Sequence, residues 1–470
     1  MTIGLEIHAE LKTKTKMFCG CLNTPDEKNP NLNICPVCMG YPGTLPVINK
    51  EAVRKVLLVG SALGSTLADF TEFDRENYFY PDIPKGYQIS QYKYPLVSGG
   101  ELAGVKLTRI HLEEDTARSS HDTPGVSLVD YNRAGVPLME LVTEPVIHSA
   151  QEVMNFAQEL QLLLRYLDVS SANMEKGEMR VEVNISISKT DEFGTKVEVK
   201  NINSFKAAGR AVKYEFERQK DLLERGEKVI QETRGFDENK GVTFSQRSKE
   251  SAHDYRYFPE PDLPKLVISE IPELSVDKLK LELPELPWQK RERFENKLGL
   301  KKDDVEIYVN NPEIASFFEQ ATEGIDDKNI LQTSSNYITS DMLGLSKSNT
   351  EADFDFGKIK PLAFNELMTM QNRGDISSRG VKDILKIMFD SGGSPTQIAK
   401  ENNLIQKNNP EEFRNIIQKI IADNPKVVAD YKSGKESVLQ FFVGQGMKES
   451  KGGGNPGLLK KLVIEILNDE

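Results

Sequence analysis

Carboxylates recur beside apolar residues in five stretches of the sequence. Glu6 and His8 lie in Gly4–Leu11, and His111-Leu112-Glu113-Glu114-Asp115 forms an acidic run. Glu140 sits inside Leu138–Val142, Glu182 in Met179–Ser188, and Glu198 just beyond a turn. Carboxylates crowded on one sheet face repel one another unless a cation lies between them. A hard divalent ion such as magnesium takes a few such oxygens and keeps its other positions for water and phosphate oxygens. Nucleotide-dependent phosphoryl transfer fits this layout, with Arg180, Lys200, Arg234 and Arg256 available to stabilise charge on the transferring group. His8 reads equally as a metal ligand or as a group that orients a carboxylate. A solvated antiparallel sheet also alternates polar and apolar residues, but repeated carboxylates next to apolar partners weigh against that reading.

A second cluster is made of thiols. All four cysteines fall within twenty residues, as Cys19-Gly20-Cys21 and Cys35-Pro36-Val37-Cys38. Paired thiols near glycine and proline suit tetrahedral zinc, and a closed four-thiolate shell makes the ion structural. No cysteine then remains as a nucleophile. There is no P-loop motif, and Gly452-Gly453-Gly454-Asn455-Pro456-Gly457 follows no strand, so it reads as a helix lead-in rather than a dinucleotide site. The aromatic stretches Tyr78–Asp82 and Tyr255–Asp262 read as core loops or as substrate walls, and residue type does not choose between them.

The elements that must position these residues come first as strands. Glu6, His8 and Glu10 alternate with Leu5, Ile7, Ala9 and Leu11, and Arg180, Glu182, Asn184 and Ser186 alternate with Val181, Val183, Ile185 and Ile187. After a turn at Asp191–Gly194, Lys196, Glu198 and Lys200 oppose Val197 and Val199, which predicts a hairpin with one polar face. Ser149 with Glu152 caps one helix, and Ser204 opens another that stops at Gly226. Pro284-Glu285-Leu286-Pro287 reads as a linker, after which the chain is mainly helical, with Asn409-Pro410 and Asn455-Pro456 as helix starts. At 470 residues several domains are expected. No apolar run reaches the roughly 20 residues of a membrane span, and no signal-peptide pattern opens the chain, so the cytoplasm is the expected compartment. A net charge of −12 predicts no general affinity for nucleic acid. A local basic surface is offered by Lys432, Lys435, Lys448, Lys451, Lys460 and Lys461.

Taken together these segments resemble the B subunit of the bacterial tRNA-dependent amidotransferase. The resemblance runs through Gly4–His8, Tyr41-Pro42-Gly43, Asn77–Gln91, Leu112–Asp115, Asp130–Pro145, Glu198–Phe205, Gln231–Arg234, Asp254–Asp262, Gly444–Lys448 and Asn455-Pro456. It implies an α+β fold: a glutamine-synthetase-like antiparallel-sheet catalytic domain over residues 1–285, with a zinc knuckle at 19–38. An all-helical middle domain over 286–395 and a helical tRNA-binding tail over 396–470 would follow. The family's activity would be ATP- and magnesium-dependent phosphorylation of the side-chain carboxylate of Glu-tRNA(Gln) or Asp-tRNA(Asn), followed by displacement of phosphate by ammonia. Glu6, His8, Glu113, Glu114 and Glu140 would form the magnesium shell. Glu182, Asn184, Glu198 and Lys200 would complete the ATP and phosphate site. Ammonia would come from an amidase A subunit, and a small C subunit would brace the pair into a heterotrimer. Gly446 departs from the family pattern, where a bulky apolar residue is usual. Two other readings compete: a carboxylate–amine ligase for a free small molecule, which would have little use for a long helical tail, and a zinc-stabilised tRNA-binding scaffold, which leaves the strand carboxylates unexplained.

Overall fold

The computed structural model describes residues 1–120, 124–248, 255–346, 355–406, 410–450 and 455–469. The glycines 452–454, the cap at Asn409, and His121 and His253 lie outside the described residues. The chain forms two compact units, Met1–Pro287 and Trp288–Glu470.

The first unit is built on one large sheet. Its principal strands are β1 (Thr2–Glu10), β2 (Asp74–Asn77), β3 (Tyr87–Ser90), β4 (Val105–Glu114), β5 (Pro137–Thr143), β6 (Met179–Ser186), β7 (Val197–Lys200), β8 (Glu232–Asp237), β9 (Val242–Ser248) and β10 (Phe258–Pro259). They lie in the order β9-β8-β7-β6-β1-β5-β4-β3-β2-β10, so the N-terminal strand is central. Period two sorts β1: Ile3, Leu5, Ile7 and Ala9 are fully or almost fully buried, while Glu6 and His8 face the other way. Val181, Val183, Ile185, Val197 and Val199 continue the same buried face. Each buried Val, Leu or Ile of this face stabilises the fold by about 1.5–3 kcal/mol relative to exposure.

Helices α1 (Lys50–Ala62), α2 (Ala150–Tyr166) and α3 (Phe205–Glu224) belong to this unit, and α3 packs on β6 with α2 alongside. The Ser149 hydroxyl accepts from the Glu152 amide and the Ser204 hydroxyl from the Ala207 amide. These caps satisfy amides that have no partner within the helix. β6 and β7 pair antiparallel, as their alternation predicts. The sheet is nevertheless mixed rather than antiparallel throughout, because β7 and β8 run parallel. The physical reason is α3, which carries the chain back across the sheet between them and so brings β8 in along the same direction.

The second unit is helical. Three of its last four α-helices, Pro410–Asp423, Leu439–Glu449 and Pro456–Asp469, share a core of Phe413, Ile417, Phe442, Leu459 and Val463. Gly446 is explained by this packing, since a Cβ there would lie 2.9 Å from the Ile417 Cδ1 and 3.3 Å from a Leu459 methyl. No helix among the described residues is long and apolar enough to cross a membrane.

Candidate functional site

The register of the central strands assembles the polar face row by row. His8 pairs with Arg180 on one side and Glu140 on the other, and Glu140 pairs in turn with His111. Glu6 stands opposite Glu182, and Glu198 opposite both Asn184 and Thr233. Directly paired residues in a sheet share a face, so side chains far apart in the chain become neighbours. The His8 Nε2 lies 3.5 Å from Glu140 Oε2, 3.6 Å from Glu113 Oε1 and 3.9 Å from Glu6 Oε1. The His111 Nε2 is 3.5 Å from the same Glu140 oxygen. Glu6, His8, Glu113 and Glu140 floor a cleft of about 820 Å³ that also takes in Glu76, Tyr78, Tyr80, Asp115, Arg180, Glu182, Glu198, Lys200 and Tyr255.

The electrostatics show a site with more negative charge than its own cations balance. Burial, then the neighbouring charges of Glu140 and Glu182, push the Glu6 carboxyl up to about 7. Burial likewise pushes Glu76 up to about 7. Burial would also raise Glu140, but His111, the hydrogen bond to His8 and Arg109 hold it down to about 2. Burial opposes charge on His8, yet Glu140 and Glu113 raise it to about 9. At the cleft's side Lys200 lies 2.9 Å from Glu182 and 3.6 Å from Glu198, and these two carboxylates raise it against burial. Arg180 is fixed by the buried Asp115, at 3.1 Å.

Two trios, Glu6/His8/Glu182 and His8/Glu113/Glu140, bring one donor atom from each residue within 4.8 Å of the others, and His8 Nδ1 is buried without a hydrogen-bond partner. Hard oxygens with an imidazole are a donor set suited to a divalent cation.

Not every expected residue arrives there. Glu114 does not join Glu113, because consecutive strand residues point to opposite faces. Its carboxylate is buried on the far side, paired with the Lys85 ammonium and accepting from the Ile89 amide at 3.0 Å. Of the five residues expected to share a shell, Glu6, His8, Glu113 and Glu140 lie on the cleft face, where Glu182 joins Glu6 and His8, and Glu114 does not. Arg234 also faces away, bonded to Glu232 at 2.6 Å and to Thr243 at 2.8 Å; its neighbour Thr233 faces the cleft instead. Arg256 is exposed and does not line the cleft, whereas Tyr255 does. Asn184 shares the polar face through its register with Gly4 and Glu198 but stands outside the cleft lining.

Glu76 and Asp115 complete the cleft without being singled out by sequence pattern. Asp115 belongs to the acidic run that begins at His111, so its neighbours are a signal. Glu76 sits in Asp74-Arg75-Glu76-Asn77, where both faces are polar and alternation gives no direction.

The cysteines gather separately. One sulfur from each of Cys19, Cys21, Cys35 and Cys38 lies within 4.8 Å of the others, and the Cys35 amide donates to the Cys38 sulfur at 3.2 Å. The hydrogen bond from Cys19 draws the Cys38 thiol down to about 5. A tetrahedron of sulfurs around zinc has edges of about 3.8 Å, which this cluster can meet with small shifts.

Sheet, cleft and flanking cations define the class of protein: a mixed α/β enzyme with an acidic cleft edged by fixed positive charge, followed by a helical unit. Known families agree. The GatB/GatE catalytic domain matches residues 1–272, and the GatB domain matches residues 316–467. The aspartyl/glutamyl-tRNA(Asn/Gln) amidotransferase B subunit of Thermotoga maritima is 43% identical, with 100% of this chain and 99% of that one covered. The proteins of that name from Thermodesulfovibrio yellowstonii and a Thermoanaerobacter species are each 43% identical, covering 99% of this chain and 99% and 98% of their own. The chain belongs to the family of aspartyl/glutamyl-tRNA(Asn/Gln) amidotransferase B subunits, components of glutamine-hydrolysing ligases.

Proposed function

We propose that the acidic cleft performs ATP- and magnesium-dependent amidation of the side-chain carboxylate of Glu-tRNA(Gln), Asp-tRNA(Asn) or both. The observation that carries this reading is the convergence of Glu6, His8, Glu113, Glu140 and Glu182 beside Lys200 and Arg180. The five acidic-face residues would hold magnesium, which when bound neutralises the nucleotide's phosphates and opposes the mutual repulsion of the carboxylates. The substrate carboxylate oxygen attacks the γ-phosphorus of ATP and ADP leaves. Ammonia then forms the C–N bond, a proton is lost, and inorganic phosphate departs. Lys200 and Arg180 supply positive charge along the cleft side where the phosphoryl group moves, and Asp115 keeps Arg180 in place.

The sheet is read as glutamine-synthetase-like, with its helices on one face and its chemistry on the other. Ammonia needs a separate source. All four cysteines are committed to the 19–38 cluster and none lines the acidic cleft, which supports a partner amidase, the A subunit, with a small C subunit to brace the pair. The helical tail, 396–470, is read as the tRNA-binding part, preceded by the middle domain, 286–395.

For the thiol cluster the reading is structural zinc. The purified chain is expected to carry one zinc per molecule, and Cys38→Ser to lose it together with thermal stability. A purified chain without stoichiometric zinc contradicts this assignment. The function itself is tested by transamidation in a complex reconstituted with the A and C subunits. Amide on at least one of the two misacylated tRNAs, dependent on both ATP and magnesium, is the expected outcome; amide formation without ATP overturns it.

A further inference from the structure

The aromatic stretches that residue type leaves undecided meet at the cleft. Five tyrosine rings form a continuous run. Tyr80 and Tyr78 stand 6.0 Å apart edge to face, Tyr78 and Tyr255 5.8 Å, Tyr255 and Tyr257 6.1 Å, and Tyr257 stacks on Tyr92 at 4.1 Å. Tyr78, Tyr80 and Tyr255 line the same cleft as the carboxylates. Tyr257 is tied to that cleft through its ring contact with Tyr255, which lines it.

Core aromatics of this size are normally covered, yet Tyr80 is 52% exposed, Tyr92 57% and Tyr257 37%. The rings are also held in place. The Tyr78 hydroxyl donates to Gln88 at 3.0 Å, and the Asn77 side chain donates to the carbonyls of Tyr255 and Arg256. That arrangement presents ring surface to solvent without leaving the loops to choose their own packing.

We propose that this tyrosine wall receives the unpaired 3′ end of the substrate tRNA by base stacking, an inference that rests on the reading of the cleft as an aminoacyl-tRNA site. The reacting carboxylate is joined through its aminoacyl ester to the 3′-terminal ribose. The terminal base therefore has to lie within a side chain's length or two of the acidic floor. Unpaired bases are held by aromatic faces without a need for base-specific hydrogen bonds. The wall's extent favours this occupant, because five rings in a run offer more aromatic surface than the single base of ATP covers, whereas a single strand brings several bases.

The test uses the complete complex with its A and C subunits. It compares Tyr80→Ala and Tyr80→Phe on intact tRNA and on tRNA lacking its unpaired 3′-terminal nucleotides. Tyr80→Ala is expected to weaken binding of intact tRNA by about 5- to 100-fold. Tyr80→Phe should bind as the wild type does, because the ring rather than the hydroxyl stacks. On truncated tRNA the wild type should already be weak, and Tyr80→Ala should add nothing. The KM for ATP should stay unchanged in all of them. Equal losses on intact and truncated tRNA overturn the proposal, and so does a rise in the KM for ATP in place of the loss in tRNA binding. A wild-type complex that makes no amide, yet still distinguishes intact from truncated tRNA, instead removes the reading of the cleft's chemistry and leaves the wall standing.

Discussion

Glu140→Gln is expected to lower amide formation by at least about 10²–10³-fold while leaving tRNA affinity and folding near wild type. Glu140 occupies the middle of the polar face, within 3.6 Å of His8, His111 and Arg109. Exchanging its carboxylate for an amide keeps the shape and removes the charge that both histidines and the proposed cation depend on. Glu114→Gln is the contrasting case. Its loss falls on stability, by about 3–5 kcal/mol, because the Lys85 ammonium is left buried without its counter-charge. Steady-state transamidation and urea denaturation of both variants separate the two effects. Should Glu140→Gln turn over normally, the site assignment fails; should Glu114→Gln be stable but unable to bind magnesium, the correction to the metal shell fails.

Removing residues from Pro410 onward is expected to weaken tRNA binding by about 10²-fold or more and to flatten its salt dependence, while the glutaminase activity of the complex persists. The helices removed include three that share a core of their own, with Arg414 and Glu465 paired across it at 2.9 Å, so the cut follows a packing boundary. They carry exposed Lys432, Lys448, Lys460 and Lys461. Each phosphate that is no longer neutralised lowers the slope of log affinity against log salt by about 0.7–0.9. Lys435 contributes less, being paired with Asp430 at 3.0 Å. Filter binding over a range of salt concentrations measures both quantities, and an unchanged slope refutes the tail's role.

The strands are legible because period two is written directly into Gly4–Leu11 and Met179–Ser188, and one buried face forces the register of the other. The same rule exposes the error at Glu114. Two adjacent strand residues cannot share a face, and a resemblance carried over position by position passes across that constraint. The parallel pairing of β7 with β8 is not legible, since nothing local to either strand reports the direction of its partner. Glu76 is hidden for a related reason: Asp74–Asn77 is polar on both faces, and only its pairing with Tyr87–Ser90 turns Glu76 toward the cleft. Arg234 is misplaced because a bulge separates it from Thr233, and sequence does not say which of the two faces the site.

The central claim is that this cleft activates a tRNA-linked carboxylate by phosphorylation. Oxygen-18 placed in the side-chain carboxylate of the misacylated substrate tests it most directly. The reconstituted complex is supplied with ATP, magnesium and free ammonia, which bypasses the amidase, and the inorganic phosphate is collected. One labelled oxygen per amide formed should appear in that phosphate, with ADP as the nucleotide product; unlabelled phosphate, or AMP and pyrophosphate in its place, would contradict the claim.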